Sequence, residues 1–112
     1  MSEFHTLPAD ELERAMRELF VASGSPPEEA EQMARQLVKA NLTGHDSHGV
    51  IRVPMYLENI RKGFIHNGRH TSIVADHNTV VRLSGNWGYG QIAGMEGMQL
   101  AIDRAKQHNV AC

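Results

Sequence analysis

The 112-residue sequence has little cysteine, no long apolar run and no marked excess of either charge, and each absence excludes a class of protein. Its single cysteine, Cys112, cannot form a disulfide within the chain, so we expect a reducing, cytoplasmic location. No apolar run approaches the roughly 20 residues of a membrane-spanning helix, and the N-terminus has neither the basic nor the apolar region of a signal peptide. Neither sign of charge predominates, with 11 Lys and Arg against 13 Asp and Glu. We therefore expect neither a membrane protein nor a nucleic-acid-binding protein.

The beginning of the chain predicts a helical hairpin. Apolar residues recur at helical spacing from Pro8 to Ser23, and Gly24 is placed to end that helix. A second helix follows at once, with Ser25 as the N-cap, Pro26 as the first helical residue and Glu28 completing a capping box. Two helices joined by so short a loop are expected to pack against each other.

A third helix is predicted over residues 53–62, between glycines that end the second and third helices, Gly44 and Gly63. Pro54 lacks an N–H and disfavours helical geometry at the residue before it. We therefore expect the helix to begin near Val53, with residues 48–52 as an ordered lead-in.

The remainder of the sequence predicts β structure followed by a helix. Residues 71–75 and 79–83 favour strands, and the turn-forming residues 76–78 between them indicate an antiparallel hairpin. A last helix is expected over residues 89–107, and residues 109–112 resemble the beginning of a further strand. Four apolar residues mark the face that this helix is expected to bury: Met98, Ala101, Ile102 and Ala105.

The predicted fold class is α/β, with the chain forming a single partial domain. Residues 1–63 are expected to be its helical N-terminal part, and residues 64–112 the start of its α/β part.

The densest polar cluster runs from Gly44 to Gly49 and continues with Arg52 and Tyr56. It combines the imidazole of His48 with a fixed cation and a phenol. Arginine holds a carboxylate through two parallel hydrogen bonds, and a protonated histidine can give a proton to a carbonyl oxygen. These residue types suit reduction of a carbonyl group beside a carboxylate, although such clusters also occur in solvated loops.

Two local geometries would bring His48, Arg52 and Tyr56 together. In a continuous helix, residues advance about 100° each, so the three would span about 80° of one face. If Pro54 delays the helix, they still lie close to its first turn, where backbone N–H groups favour an anion.

The stretch from Asn41 to Tyr56, NLTGHDSHGVIRVPMY, closely resembles the N-terminal signature of the type 2 malate/L-lactate dehydrogenase family. This family also includes hydroxycarboxylate, sulfolactate and ureidoglycolate dehydrogenases, and diketogulonate and cyclic imino acid reductases. The resemblance extends over nearly the whole chain, since the segment from Gly85 to Ala105 is similar to the family's glycine-rich turn and following helix.

The resemblance implies a role for each matching residue. His48 corresponds to the proton donor to the substrate carbonyl, Arg52 to the arginine that holds the substrate carboxylate, and Tyr56 to a tyrosine of the same pocket. Ser47 corresponds to a serine that approaches the ligand. The resemblance further implies hydride transfer between NAD or NADP and a 2-hydroxy acid or its keto or imino counterpart, and a fold distinct from the Rossmann type. It also implies a homodimer or a larger assembly, of which we expect the homodimer.

Members of this family are much longer than 112 residues. We therefore expect this chain to be part of a longer protein and to be inactive alone. The resemblance also implies a second acid/base histidine just beyond the position of Cys112. Most of the segments that contact the nicotinamide cofactor in the family lie beyond that position as well. Two alternatives remain: a non-catalytic carboxylate-binding or assembly module, and a metal-dependent hydrolase using His45 and His48, for which a third ligand is not evident.

The segment from Gly88 to Ala93 matches the pattern G-x-G-x-x-[GA] of dinucleotide-binding turns. The parallel strand that should follow is not evident, and a tight turn between strand and helix is the preferred interpretation. Trp87 and Tyr89 beside these glycines are expected to pack over the loop and close the core.

Overall fold

The computed structural model describes residues 3–112 as four helices and a two-stranded antiparallel hairpin, in the predicted order. The helices are α1 (Ala9–Ala22), α2 (Pro27–Leu42), α3 (Val53–Arg61) and α4 (Gly90–His108), and the strands are β1 (Ser72–His77) and β2 (Val80–Ser84). Within residues 3–112, no helix combines the length and the apolarity that a bilayer crossing requires.

Helices α1 and α2 pack against each other and supply most of the buried core. Phe20 of α1 and Met33 of α2 are fully buried, and Leu37 is 3% exposed. Gly24 joins the helices with a φ of 95°, which residues with a Cβ rarely adopt. The predicted hairpin and its glycine stop are therefore confirmed.

The predicted capping box of Ser25 and Glu28 is wrong. Helix α2 begins at Pro27 with Pro26 as its N-cap, and no side chain caps its first turn. Ser25 is buried, and its Oγ lies 2.6 Å from the hydroxyl of Tyr89. The Ser25 hydroxyl contacts Tyr89 and is therefore not available as a cap, and Pro27 has no N–H to satisfy. The fixed φ angles of Pro26 and Pro27 set the start of the helix instead.

The β-hairpin is present, but its turn lies further along the chain than predicted. Asp76 and His77 belong to β1, where they pair with Val81 and Val80, so the turn consists of residues 78 and 79. Asn78 has a φ of 63°, a left-handed conformation that asparagine tolerates, and its N–H donates to Asp76 Oδ1 at 3.0 Å.

Helix α4 begins and ends one residue later than predicted. Its predicted buried face is wrong for Met98 and Ile102, which are 62% and 42% exposed. The helix instead buries Ile92 and turns Gly97 towards the hairpin, where an added Cβ would lie 3.4 Å from Leu83. Because α4 carries apolar residues on more than one side, their spacing alone does not decide which face is buried.

The last residue pairs with β2 on the side opposite β1. The N–H of Cys112 donates to the carbonyl of Thr79 at 2.8 Å, and the carbonyl of Cys112 accepts from the N–H of Val81 at 2.9 Å. These two bonds flank Val80 in the pattern of parallel neighbours. The structure thus agrees with the expected strand start, with one residue, Cys112, paired beside β2.

His70 lies between carboxylates of two helices. Its Nδ1 hydrogen-bonds Glu96 of α4, and its Nε2 lies 3.8 Å from Glu29 Oε1 of α2. Glu29 is 4% exposed; its Oε2 accepts from the N–H of Gly68, while Oε1 has no hydrogen-bond partner among residues 3–112. Glu96 also accepts hydrogen bonds from the N–H and hydroxyl of Thr71. A charged His70 therefore links α2, α4 and the start of the hairpin.

This arrangement predicts a pH window for stability. The hydrogen bond to Glu96, with the charges of Glu96 and Glu29, raises the pKa of His70. Burial acts to raise the pKa of Glu96, but hydrogen bonds from Thr71 and His70 outweigh it and leave that pKa lowered. His70 stabilises the fold fully below its unfolded pKa of about 6.5, and this stabilisation is lost as the pH rises through its higher folded pKa. Glu96 stabilises the fold fully above its unfolded pKa of about 4.3, and this stabilisation is lost as the pH falls through its lower folded pKa.

We therefore expect His70→Gln to lower the melting temperature most between about pH 4.5 and 6.5, and much less near pH 9. Thermal melts across this range would measure the difference, with the exposed His5→Gln as the control that leaves the curve unchanged. A deficit of equal size at every pH would contradict the ion pair as its cause.

Candidate functional site

The segment between α2 and α3 consists of two consecutive 3₁₀ turns, residues 46–48 and 50–52. Asn41, in the last turn of α2, holds both of them. Its Oδ1 accepts from the N–H of Val50 at 2.9 Å, and its Nδ2 donates to Asp46 Oδ1 at 2.7 Å. Helix α3 then begins at Val53, as Pro54 predicted. One amide side chain therefore fixes the ordered lead-in that carries the polar cluster.

Gly49 joins the two turns and lies directly against Asn41. A Cβ added at Gly49 would lie 2.1 Å from Asn41 Oδ1, far inside contact distance. The φ of Gly49 is −89°, so the requirement for glycine here is close packing and not a left-handed backbone.

Ser47 orients the two residues that carry the expected chemistry. Its hydroxyl lies 3.0 Å from His48 Nδ1, and its carbonyl accepts a hydrogen bond from Arg52 Nε at 2.7 Å. These contacts leave His48 Nε2 and the far end of the Arg52 guanidinium available to a ligand. Arg52 Nη1 has only a weak contact with Met55 Sδ, at 3.8 Å.

His48, Arg52 and Tyr56 line one cleft of about 350 Å³ between α2, the 3₁₀ turns and the start of α4. The rest of its wall is polar but uncharged, or apolar: Gln36, Leu37, Ala40, Met55 and Gln91. None of these lining residues is acidic. Arg52 is the one permanently charged side chain among these lining residues, so the cleft favours an anion.

A second cleft, of about 400 Å³, has the opposite character. Its wall contains the carboxylates of Glu28, Glu29, Glu31 and Glu96, with Arg35 and His70 as the basic groups. Arg35 is already paired with Glu31 at 2.8 Å. Of these two clefts, the one beside Arg52 is therefore the more favourable to an anion.

Tyr56 belongs to both the core and the cleft. Its ring packs edge to face with Phe20 and Tyr89, at centroid distances of 6.2 and 6.3 Å. Its hydroxyl reaches the cleft and accepts a hydrogen bond from Gln91 Nε2 at 2.5 Å. The core thus holds the ring, while α4 holds the hydroxyl.

The structure brings together three of the four side chains singled out in the sequence, His48, Arg52 and Tyr56; Ser47 lies beside their cleft and contacts two of them. Sequence reasoning did not identify Asn41 or Gln91 as parts of the site. Asn41 has a local signal, since an asparagine at the end of a helix often bonds nearby backbone. Gln91 has none, because it meets Tyr56 from 35 residues away.

His45 does not line the cleft that contains His48. Across residues 3–112, no group of three or more His, Cys, Asp or Glu side chains is arranged to hold a metal ion. The residues that the alternative hydrolase would need are therefore not gathered around His45 and His48.

The Gly88–Ala93 segment forms a tight turn that leads into α4. A Cβ at Gly88 would lie 2.4 Å from the carbonyl oxygen of Arg69, so this glycine accommodates the chain's own backbone. Tyr89 is 1% exposed and closes the core, as expected, whereas Trp87 is 77% exposed and does not. The preferred interpretation of a tight turn is supported, and we assign no cofactor contact to it.

Comparison with known proteins places this geometry in a family. The profile of the malate/L-lactate dehydrogenase family matches residues 7–112. The chain belongs to the malate/L-lactate dehydrogenase family. This result confirms the resemblance that was found in the Asn41–Tyr56 segment.

Individual members of the malate/L-lactate dehydrogenase family match nearly the whole chain. Hydroxycarboxylate dehydrogenase B from Escherichia coli is 36% identical over 111 residues, which are 99% of this chain and 31% of that protein. Malate dehydrogenase from Pyrococcus abyssi is 33% identical over 104 residues, 93% of this chain and 29% of that protein. The chain therefore spans about three tenths of the length of these relatives.

The fold of this chain is also that of the malate/L-lactate dehydrogenase family. The structure of malate dehydrogenase from Pyrococcus horikoshii superposes with a TM-score of 0.88 at 31% identity, over 92% of this chain and 30% of that one. This likeness confirms the predicted fold class, including its assignment to the non-Rossmann fold of these dehydrogenases.

The contact between Gly49 and Asn41 predicts that Gly49→Ala is destabilising. The added methyl group must displace the side chain that holds both 3₁₀ turns, at a cost of about 1–3 kcal/mol. Denaturant unfolding would measure the loss. Gly90→Ala is the matched control, because a Cβ there meets nothing within 4 Å. Equal stabilities of the two variants would contradict the close contact.

Proposed function

We propose that this chain forms the substrate-binding and proton-donating part of an NAD(P)-dependent dehydrogenase that interconverts 2-hydroxy acids and 2-keto acids. One observation carries the proposal: His48, Arg52 and Tyr56 share a cleft, and none of its lining residues within residues 3–112 is acidic. Membership of the malate/L-lactate dehydrogenase family and the names of the matching relatives support the same reaction class.

Arg52 binds the substrate carboxylate in this proposal. Its Nε is already engaged by the Ser47 carbonyl, which fixes the plane of the guanidinium and leaves its outer N–H groups for the ligand. Two parallel charge-assisted hydrogen bonds would then orient the neighbouring carbonyl carbon. Tyr56 adds a hydrogen bond to the bound substrate from the same side of the cleft.

His48 donates the proton in the reduction direction. When His48 is protonated, its Nδ1–H donates to the Ser47 hydroxyl oxygen, and its Nε2–H carries the proton left available to a ligand. The nicotinamide supplies the hydride to the carbonyl carbon when it is bound. His48 gives a proton to the carbonyl oxygen, so that the keto acid becomes a hydroxy acid, and the reverse transfer accompanies oxidation. Ser47 positions His48 and Arg52, in addition to the ligand contact that the resemblance implies.

Further properties belong to the same proposal. The cofactor is NAD or NADP, the substrate is a small 2-hydroxy or 2-keto acid, and the protein acts in the cytoplasm as a homodimer without nucleic-acid or membrane partners. Residues 1–112 are one partial domain, with residues 1–63 as its helical part and 64–112 as the start of its α/β part. Alone, these 112 residues are inactive, because they span about three tenths of the length of their relatives.

The first test is the intact mass of the protein expressed from its own gene, combined with an NAD(P)H assay over a panel of 2-keto acids. A mass well above 12.4 kDa with turnover supports the proposal. Absence of turnover with every keto acid, together with retained carboxylate binding, would instead establish a non-catalytic carboxylate-binding module.

His48→Ala is expected to lower kcat by about 10²–10⁴-fold, because the proton transfer loses its donor. Steady-state kinetics of NAD(P)H oxidation would measure this change. His45→Ala is the control, since His45 lies outside the cleft, and it should leave kcat unchanged. Loss of turnover in both variants, with stoichiometric zinc in the wild type, would favour the metal-dependent alternative.

Arg52→Lys is expected to raise KM for the keto acid by about 10- to 100-fold, because lysine keeps the charge but loses the paired hydrogen bonds. The exposed Arg61→Lys, at the end of α3, is the matched control. An unchanged KM in Arg52→Lys would remove Arg52 from the carboxylate site.

A further inference from the structure

In the structure, the amide nitrogen of Gln91 faces the hydroxyl oxygen of Tyr56. Gln91 Nε2 lies 2.5 Å from Tyr56 Oη, and both residues line the cleft of His48 and Arg52. An amide N–H₂ donates hydrogen bonds and does not accept them, whereas a phenol does both. The oxygen of Tyr56 therefore accepts from Gln91, and its single proton must be directed to another acceptor.

Few other directions are open to that proton. The ring of Tyr56 is held between Phe20 and Tyr89, so the hydroxyl can rotate only about its own C–O bond. The hydroxyl of Tyr89 is engaged with Ser25. No hydrogen bond donated by Tyr56 is present within residues 3–112. The proton is thus available to a ligand in the cleft.

Gln91 itself is well placed for this task. It lies in the first turn of α4, two residues after the buried Tyr89, which anchors that end of the helix to the core. The other amide of the cleft, Gln36, is held by a contact from its Nε2 to Met95 Sδ at 3.1 Å and does not compete for Tyr56.

We infer that Gln91 is a positioning residue that fixes Tyr56 as a hydrogen-bond donor to a negatively charged oxygen of the substrate. The inference rests on the proposed function for the identity of the substrate, a 2-keto or 2-hydroxy carboxylate. With Gln91 in place, Arg52, His48 and Tyr56 all present donors to the cleft, an arrangement that suits a carboxylate beside a carbonyl and disfavours cationic ligands.

The contact can be tested without any substrate. In the protein expressed from its own gene, ¹³C labelling at the tyrosine ζ carbon reports on each phenol, and the Tyr56 resonance is assigned by its loss in Tyr56→Phe. Gln91→Met, which keeps the length of the side chain, should move this resonance. Gln99→Met is the matched control on the same helix, since Gln99 is exposed and bonds Asp103 instead. A Tyr56 resonance that is the same in both variants overturns the inference.

Kinetics test the consequence for the substrate. Gln91→Met should lower kcat/KM for the keto acid by about tenfold, the effect of one misdirected hydrogen bond. In a Tyr56→Phe background the same change should have no further effect, because the hydroxyl that Gln91 positions is gone. Equal fold-losses in the two backgrounds would show that Gln91 acts independently of Tyr56 and would overturn the inference.

Gln91→Glu tests the direction of the bond. A carboxylate accepts the Tyr56 proton and turns it away from the substrate, so kcat/KM should fall further than in Gln91→Met near neutral pH. The deficit should shrink as the pH falls towards about 4.3, where a glutamate becomes protonated. A deficit that is independent of pH would contradict the assigned polarity.

These experiments separate the inference from the proposed function. If the wild-type protein reduces no 2-keto acid while Gln91→Met still moves the Tyr56 resonance, the proposed function fails and the positioning of Tyr56 stands. If the wild type is active and the resonance does not move, the inference fails and the proposed function stands.

Discussion

Three aromatic rings, those of Phe20, Tyr56 and Tyr89, pack edge to face at centroid distances between 5.9 and 6.3 Å. They come from α1, α3 and the residue before α4, so one small cluster joins three separate helical elements. Such pairs contribute about 0.5–1.5 kcal/mol each beyond the area that they bury. Burial raises the pKa of Tyr89, whose hydroxyl is satisfied by Ser25 at the start of α2. The placement of α3 and of the start of α4 against α1 depends on this cluster.

The polar residues of the candidate site lie just outside that cluster, on backbone that is not regular helix. Two 3₁₀ turns carry His48 and Arg52, and they are held by Asn41 and by the contacts of Ser47. Both side chains are exposed, so water can reach them unless a ligand or another protein segment covers the cleft. The site therefore combines a rigid apolar support with polar groups that are restrained by a few hydrogen bonds.

The order of the elements followed from the sequence, because helical spacing, proline positions and turn-forming residues are local signals. His48, Arg52 and Tyr56 were found in the same way, since they lie within nine residues of one another. Features that depend on distant contacts did not follow. The buried side of α4 is the one on which Ile92 joins the core formed by α1 and α2, and Gln91 becomes part of the site only because the fold brings it to Tyr56.

Tyr56 is constrained in two ways, by its packing in the core and by the position of its hydroxyl in the cleft. Its ring supports the fold, and its hydroxyl faces the cleft, so a substitution at Phe20 would shift the hydroxyl without touching any polar residue of the site. Sequence drift at Phe20 is thereby restricted by the geometry of the cleft as well as by stability. The shape of the cleft therefore depends on an apolar residue outside it, which a survey of the polar residues alone would not reveal.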